Sequence, residues 1–365
     1  MMENRKMKIK QNDKRKILTQ LLKPVAAIAA ALLVGAVLIL YAGANPVTAY
    51  KSLLAGAFGS FYNFTEVLVK ASPLWLAGLG VALSFKAGIF NVGAEGQIMM
   101  GALATAWIGV VLGNLPMVIL LPVTMLAAVL AGGIWASIPG MMKAKLGVDE
   151  IITTIMFNYI ATWVVSYFVT GPLKDPAGVN PQTAELGAGA QLPILVKATR
   201  LHAGLIVTLI LIVVMYFVIK KSTFGYKVRL LGSSLSVARA SGVNVPLTLI
   251  TTMIISGGLS GLAGMMEISG LHHRLLNSFS PGYGFTAVVV ALLGNLNPLA
   301  VFVSGFFFAA MTVGANEMQR SAAIPTSLIS VIQGLIVFFV LISEVKHFPI
   351  PRIFTSKREN REVTE

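Results

Sequence analysis

Three polar side chains, Asn91, Glu95 and Gln97, lie in a glycine-rich stretch of otherwise apolar sequence that runs from Gly88 to Gly101. Amide and carboxyl groups at bilayer depth need partners, and such groups commonly line the path of a solute or an ion. Glycines permit unusual backbone conformations and close helix contacts. The stretch therefore predicts a broken or re-entrant helix beside a path, with a short cytoplasmic turn between two helices as the alternative.

A second set of polar residues occurs in the apolar segment 151–169. Thr154 and Asn158 are four residues apart, so a helix would present them on one face. Tyr159 and Trp163 would form a neighbouring aromatic face for the same reason. Either face could contact a solute, and ordinary packing within a helix bundle is the alternative.

Several kinds of chemistry are excluded by what the sequence lacks. The chain has no cysteine, and the adjacent His272 and His273 point in different directions, so we expect no metal site and no other cofactor. Neither a Gly-x-Ser-x-Gly elbow nor a phosphate-binding Gly-x₄-Gly-Lys-Ser/Thr loop is present. We therefore expect no enzyme activity, and the energy for any transport must come from a partner or an ion gradient.

The composition is that of a membrane protein. Hydrophobic residues make up 56% of the chain and charged residues 12%, with a mean hydropathy of +0.81, whereas soluble domains carry about 25% charged residues. The net charge of +14 comes from short basic blocks between apolar runs, a pattern that orients membrane proteins and does not indicate nucleic-acid binding. We predict an all-α, polytopic protein.

Ten apolar runs predict about ten transmembrane helices. They are residues 24–41, 67–85, 97–112, 117–141, 151–169, 202–219, 247–270, 283–293, 299–314 and 327–343. Several are shorter than the roughly 20 residues that a straight span needs, so we expect tilted or broken helices, chiefly around 88–101 and 283–298. Spans 2–5 and 7–10 could form an inverted repeat.

The basic residues predict the orientation and the domains. With both termini in the cytoplasm, 21 of the 28 Lys and Arg residues lie on the cytoplasmic side. The domains are then a basic N-terminal segment (1–23), a transmembrane domain (24–343) and a cytoplasmic tail (344–365). The longest inner loop, 220–246, carries five basic residues and no acid.

That inner loop also predicts a short helix. Ser234 can cap its start and Gly242 can end it, with Ala238 and Ala240 as small contact points. A basic loop lying on anionic lipid is the alternative.

Two motifs resemble those of bacterial ABC importer permeases for nucleosides, ribose-type sugars and branched-chain amino acids. One is Asn91-Val-Gly-Ala-Glu-Gly-Gln97, in a form most similar to the purine nucleoside (guanosine-type) branch. The other is Gly232 followed by Ala238-Arg-Ala-Ser-Gly242, which resembles the loop that docks on the ATPase subunit. The residues assigned to this coupling role are Gly232, Ser234, Ala238, Arg239, Ala240 and Gly242.

The resemblance implies a permease subunit in a bacterial cell membrane, assembled with an ABC ATPase, a second homologous permease and an extracytoplasmic substrate-binding lipoprotein. The expected substrate path comprises Phe90, Asn91, Glu95, Gln97, Asn158 and Tyr159, whose amides and rings suit a neutral nucleoside. A ribose-type sugar is the alternative. A secondary transporter would need paired acids or an ion relay, and a membrane enzyme would need convergent polar groups; the sequence favours neither.

Overall fold

The computed structural model describes residues 26–322 and 324–344, so the predicted N-terminal segment and C-terminal tail lie almost wholly outside the described residues. The helices, numbered in chain order, are α1 (Ala26–Tyr41), α2 (Pro46–Phe58), α3 (Phe61–Lys86), α4 (Ala94–Val111), α5 (Met117–Met141), α6 (Glu150–Thr170), α7 (Gly204–Lys221), α8 (Thr223–Ser233), α9 (Leu235–Ala240), α10 (Val245–Glu267), α11 (Tyr283–Leu293), α12 (Pro298–Ala322) and α13 (Thr326–Glu344). Among the described residues, β pairing is limited to isolated bridges. The predicted all-α class is confirmed.

Seven of the described helices are long and apolar enough to cross a membrane, namely α3, α4, α5, α6, α7, α10 and α12. Helices α1 and α2 pass the same test as a pair that is bent by 116°, while α11 and the segment Ser327–Ile336 are shorter apolar helices. Within the described residues, each of the ten predicted runs coincides with a helix for most of its length. The polytopic architecture is confirmed, and the shortest run, 283–293, coincides with the short helix α11.

Helix α2 occupies a region where the sequence predicts an outer loop. Asn45 caps its first turn by accepting the Val47 N–H at 2.9 Å, and Pro46 occupies the first helical position, both of which favour a helix start. Lys51 and its polar neighbours interrupt the apolar pattern, so hydropathy alone does not reveal this helix.

Glycines bring α4, α5 and α10 into close contact. A Cβ atom added to Gly101 of α4 would overlap the backbone of Gly261 in α10. One added to Gly132 of α5 would overlap the Gly257 carbonyl, also in α10. Such small residues allow helix backbones to approach in a membrane, where packing and hydrogen bonds replace the hydrophobic effect. Helix α10, which also packs on α3, therefore forms the centre of the bundle.

One end of the bundle, which we call the basic end, gathers the connections 87–93, 222–244 and 294–297. Gly232, the tenth residue of α8, lies so close to the Lys86 carbonyl that a Cβ atom there would collide with it. The Lys86 Nζ in turn donates to the Leu296 carbonyl at 3.1 Å. The three connections therefore form one contiguous surface.

The opposite end, which we call the loop end, is covered by the long connection 171–203. This connection pairs with residues that follow α10, because the Leu192 N–H donates to the Ser269 carbonyl at 2.9 Å and the Thr183 N–H to the Leu275 carbonyl at 3.0 Å. The connection is thus held against the bundle by backbone hydrogen bonds.

Candidate functional site

The glycine-rich stretch begins as a buried turn between α3 and α4. Residues 87–93 are non-helical, and Gly88 has a φ of +80°, which favours glycine. Helix α4 then runs unbroken from Ala94. The structure therefore differs from the predicted break within 88–101, because the irregular backbone is confined to the turn at the basic end. As in the alternative, a short turn joins two helices, but its Asn91 side chain is 0% exposed.

An amide network stabilises this turn. Asn91 and Gln97 exchange two hydrogen bonds, from Asn91 Nδ2 to Gln97 Oε1 at 3.2 Å and from Gln97 Nε2 to Asn91 Oδ1 at 3.0 Å. The Asn91 amide also donates to the Ser256 Oγ of α10 at 2.9 Å and accepts the Gly93 N–H at 3.0 Å. All four groups are buried, so the network ties the turn to α4 and to the central helix.

Asn158 of α6 connects to the same turn from the other side. Its Oδ1 accepts the Gly96 N–H at 2.8 Å, and its Nδ2 donates to the Val92 carbonyl at 3.0 Å. Gly96 lies in the first turn of α4, where backbone N–H groups have no intrahelical acceptor. Asn158 therefore satisfies one buried and one partly buried backbone group, on the two sides of the start of α4.

Glu95 joins α4 to the start of α11. Its Oε2 accepts the Gly284 N–H at 2.6 Å. Backbone N–H groups at a helix start favour a negative partner. Glu95 is thus a buried link between two helices that are distant in sequence.

Phe90 and Tyr159, unlike the other four predicted path residues, are exposed. Phe90 is 49% exposed and packs against Phe85 with ring centroids 4.9 Å apart. Tyr159 is 67% exposed and lies on the same outward face of α6 as Trp163 and Tyr167. The structure thus divides the six residues into a buried polar network and two exposed rings.

The predicted coupling segment forms α8 and α9 at the basic end. Ser234 caps α9 by accepting the Val237 N–H at 3.4 Å, and Gly242, with a φ of +74°, follows the helix end. Ala238 is buried against this chain, whereas Arg239 and Ala240 are exposed. Of the two small residues, Ala240 is therefore the one available to a partner.

A cavity of about 400 Å³ lies beside α9. It is lined by the turn residues Gly88 and Ile89, by Gly232 and by two cationic side chains, Lys143 and Arg239. The coupling segment and the buried turn therefore border the same cavity.

Two charged constellations near the loop end escape the motif analysis. Arg200 and Glu66 form a two-pronged ion pair, and this hydrogen bonding raises the pKa of Arg200 above its ordinary value. Lys70 donates to the Tyr283 hydroxyl at 2.7 Å and lies 3.6 Å from the carboxylate of Glu267. In the sequence, only the presence of charged residues within apolar segments indicates these sites. The paired side chains are more than 100 residues apart in the chain, so no local motif contains both.

Metal binding is not indicated by the described part of the chain, where no three His, Asp or Glu side chains are grouped so as to hold an ion. The polar groups around the turn are instead paired with one another or with the backbone. These hydrogen bonds position the turn and the start of α4.

The sequence is similar to transport proteins along most of its length. Residues 63–341 match the family described as branched-chain amino acid transport system, permease component. The chain is 39% identical over 331 residues to the glucose ABC transporter permease protein TsgB13 of Haloferax volcanii (88% of this chain, 87% of the relative). It is 34% identical over 342 residues to the guanosine ABC transporter permease protein NupP of Bacillus subtilis (93% and 98%) and 30% identical over 352 residues to the nucleoside ABC transporter permease protein NupB of Lactococcus lactis (93% and 95%).

Proposed function

The chain belongs to the family of branched-chain amino acid transport system permease components, and from this premise we propose that it is the membrane subunit of an ATP-driven nucleoside importer. Two relatives that match 93% of the chain are named as guanosine or nucleoside permeases. The relative named as a glucose permease makes a sugar the second candidate substrate. The protein is a multi-pass protein of the cell membrane.

In this proposal the basic end faces the cytoplasm. The bias of Lys and Arg toward the predicted inner segments supports this orientation. The domain boundaries then stand as predicted, with a transmembrane domain at 24–343 between two cytoplasmic termini. The connection 171–203 at the loop end would face the extracytoplasmic lipoprotein that delivers the substrate.

The ATPase partner docks on α9 and its surroundings. Exposed Arg239 and Ala240 supply the contact surface, Ser234 and Gly242 set the helix ends, and Ala238 anchors α9 to this chain. Gly232 transmits the movement of the ATPase to the membrane domain, because it packs on the Lys86 carbonyl, which directly precedes the turn 87–93. The close backbone contact between α8 and the turn supports this route from the ATPase to the membrane domain.

The substrate path runs along the exposed face of α6, between this chain and a second, homologous permease. Tyr159 lies at the middle of a 21-residue helix, whereas Tyr and Trp in membrane helices favour the lipid–water interfaces. Exposed rings at mid-depth indicate a covered or water-filled face. This placement of Tyr159 and Trp163 is the observation that carries the path proposal.

All six predicted path residues contribute to that path in two ways. Phe90 and Tyr159 contact the substrate through their exposed rings. The other four residues do not contact the substrate but hold the backbone beside the path in place, because their side chains are buried and hydrogen-bonded. They are Asn91, Glu95, Gln97 and Asn158.

Deletion of the gene in its host tests the proposal. Uptake of labelled guanosine should fall in the deletion strain and return when the chain is supplied from a plasmid. Uptake of labelled ribose and glucose, measured in parallel, serves as the control. Guanosine uptake that is unchanged while sugar uptake falls would favour the second candidate and contradict the first.

A further inference from the structure

Two adjoining cavities open near the loop end, between α3, α11, α12 and α13. One, of about 260 Å³, is lined mainly by neutral groups that include Leu74, Tyr283, Thr286, Thr312, Asn316 and Gln333. The other, of about 230 Å³, has the charged residues Glu66, Lys70, Arg200, Glu317 and Arg320 in its lining, together with Thr312 and Asn316. We call the two together the loop-end vestibule. Their combined volume falls in the range of about 300–1,000 Å³ that small-molecule sites occupy.

The vestibule extends from the loop end into the bundle. Its charged part borders Tyr62, in the first turn of α3, and Arg200, in the long connection. Its neutral part reaches Leu74, which is about 20 Å along α3 at about 1.5 Å per residue. Since α3 has 26 residues, the neutral part lies near half the depth of the bundle.

Charges around the vestibule are balanced in sign. Glu66 is paired with Arg200, and Lys70 lies between Tyr283 and the buried Glu267. Glu317 and Arg320 add one charge of each sign to the lining. A phosphate-bearing ligand would need an excess of cations, so this lining favours a neutral solute with several hydroxyl groups.

The neutral cavity has amide groups in its lining, and one of them, Asn316, also borders the charged cavity. Asn316 and Gln333 each offer a donor and an acceptor in one plane, which matches the donor and acceptor pattern on the edge of a nucleobase. The Tyr283 ring and the aliphatic Leu74 and Ile329 provide apolar surface beside them. The charged part can form charge-assisted hydrogen bonds with ribose hydroxyls.

We propose that the loop-end vestibule is a nucleoside-binding site within this chain, with the base directed toward Asn316 and Gln333 and the ribose toward the charged mouth. This inference rests on the proposed function and adds to it a second contact site, separate from the exposed face of α6. It also assigns the discrimination between a nucleoside and its phosphate esters to the membrane subunit.

Cysteine labelling tests this site directly, because the chain has no cysteine of its own. Thr312→Cys places a thiol of nearly the same size at the border of the two cavities. In the assembled complex in lipid nanodiscs, a charged maleimide should label this thiol. Added guanosine should slow labelling in proportion to one plus the ratio of its concentration to its dissociation constant, whereas guanosine monophosphate should not.

Two variants serve as controls. Val303→Cys lies on the exposed face of the same helix and outside both cavities, so lipid should prevent its labelling. Val179→Cys, in the exposed connection at the loop end, should react at the same rate with and without guanosine.

Guanosine uptake by the wild-type complex in proteoliposomes, measured alongside, separates the two hypotheses. Uptake without protection of Thr312→Cys, or equal protection by the monophosphate, would overturn the vestibule proposal alone. Absence of guanosine uptake would overturn the proposed substrate. We expect guanosine to protect Thr312→Cys from labelling and to leave the labelling rate of Val179→Cys unchanged.

Discussion

Replacing Asn158 with alanine removes the side chain that satisfies the backbone at the start of α4. The buried Gly96 N–H and the partly buried Val92 carbonyl, at 2.8 and 3.0 Å from the amide, would both lose a partner. A buried polar group without a partner costs about 1–3 kcal/mol. Because only the Gly96 N–H is fully buried, the variant should lose about 1–3 kcal/mol of stability.

That loss exceeds the roughly 0.6 kcal/mol that hydrogen bonds between membrane helices contribute on average. The reason is that Gly96 lies in the first turn of a helix, where its N–H has no intrahelical acceptor. A smaller measured loss, near the average value, would indicate that water enters the turn.

The assay is thermal unfolding of the detergent-solubilised protein, followed by the fraction that remains monodisperse in size-exclusion chromatography. Tyr159→Ala is the matched control, because the neighbouring ring is 67% exposed and its removal should leave stability unchanged while lowering nucleoside uptake. Wild-type stability of Asn158→Ala would refute the reasoning. It would show that the amide does not support the turn.

Three further variants test other parts of the account. Glu95→Gln should insert into the membrane at wild-type levels but change nucleoside uptake per inserted molecule, and normal uptake would return Glu95 to a purely structural role. Ala240→Trp should weaken co-purification of the ATPase, since overpacking a tight contact costs about 1–3 kcal/mol. Lys220→Glu should leave co-purification unchanged. The reverse pattern would indicate a lipid-binding loop. Gly261→Leu should lower the yield of folded protein, because the new side chain would overlap the α5 backbone. Gly334→Leu, at a position with open space around it, should leave the yield unchanged. Equal yields of the two variants would contradict the close packing of α5 and α10.

Hydropathy predicts the helices of this protein because lipid requires long apolar segments with internally satisfied backbone. It fails for α2, whose Lys51 interrupts the apolar run although Asn45 and Pro46 still start a helix. It also cannot tell a full span from a short helix such as α11, because depth depends on packing. The inverted repeat of spans 2–5 and 7–10 stays a prediction.

The polar residues of the glycine-rich stretch could be identified from the sequence, but their partners could not. Asn91 bonds to Ser256, which is 165 residues away, and Glu95 bonds to Gly284, 189 residues away. Such long-range contacts leave no local pattern. The sequence therefore assigns all six predicted path residues to one group, whereas the structure separates the buried polar side chains from the two exposed rings.

The most direct test of the central claim is transport by the reconstituted complex. Proteoliposomes should contain this chain with the proposed partners, namely an ABC ATPase, a second homologous permease and a binding lipoprotein. Uptake of labelled guanosine should be measured with and without ATP. Uptake should require ATP, and unlabelled nucleosides should reduce it whereas glucose should not. Uptake driven by an ion gradient without ATP, or ATP-dependent uptake of glucose alone, would contradict the central claim.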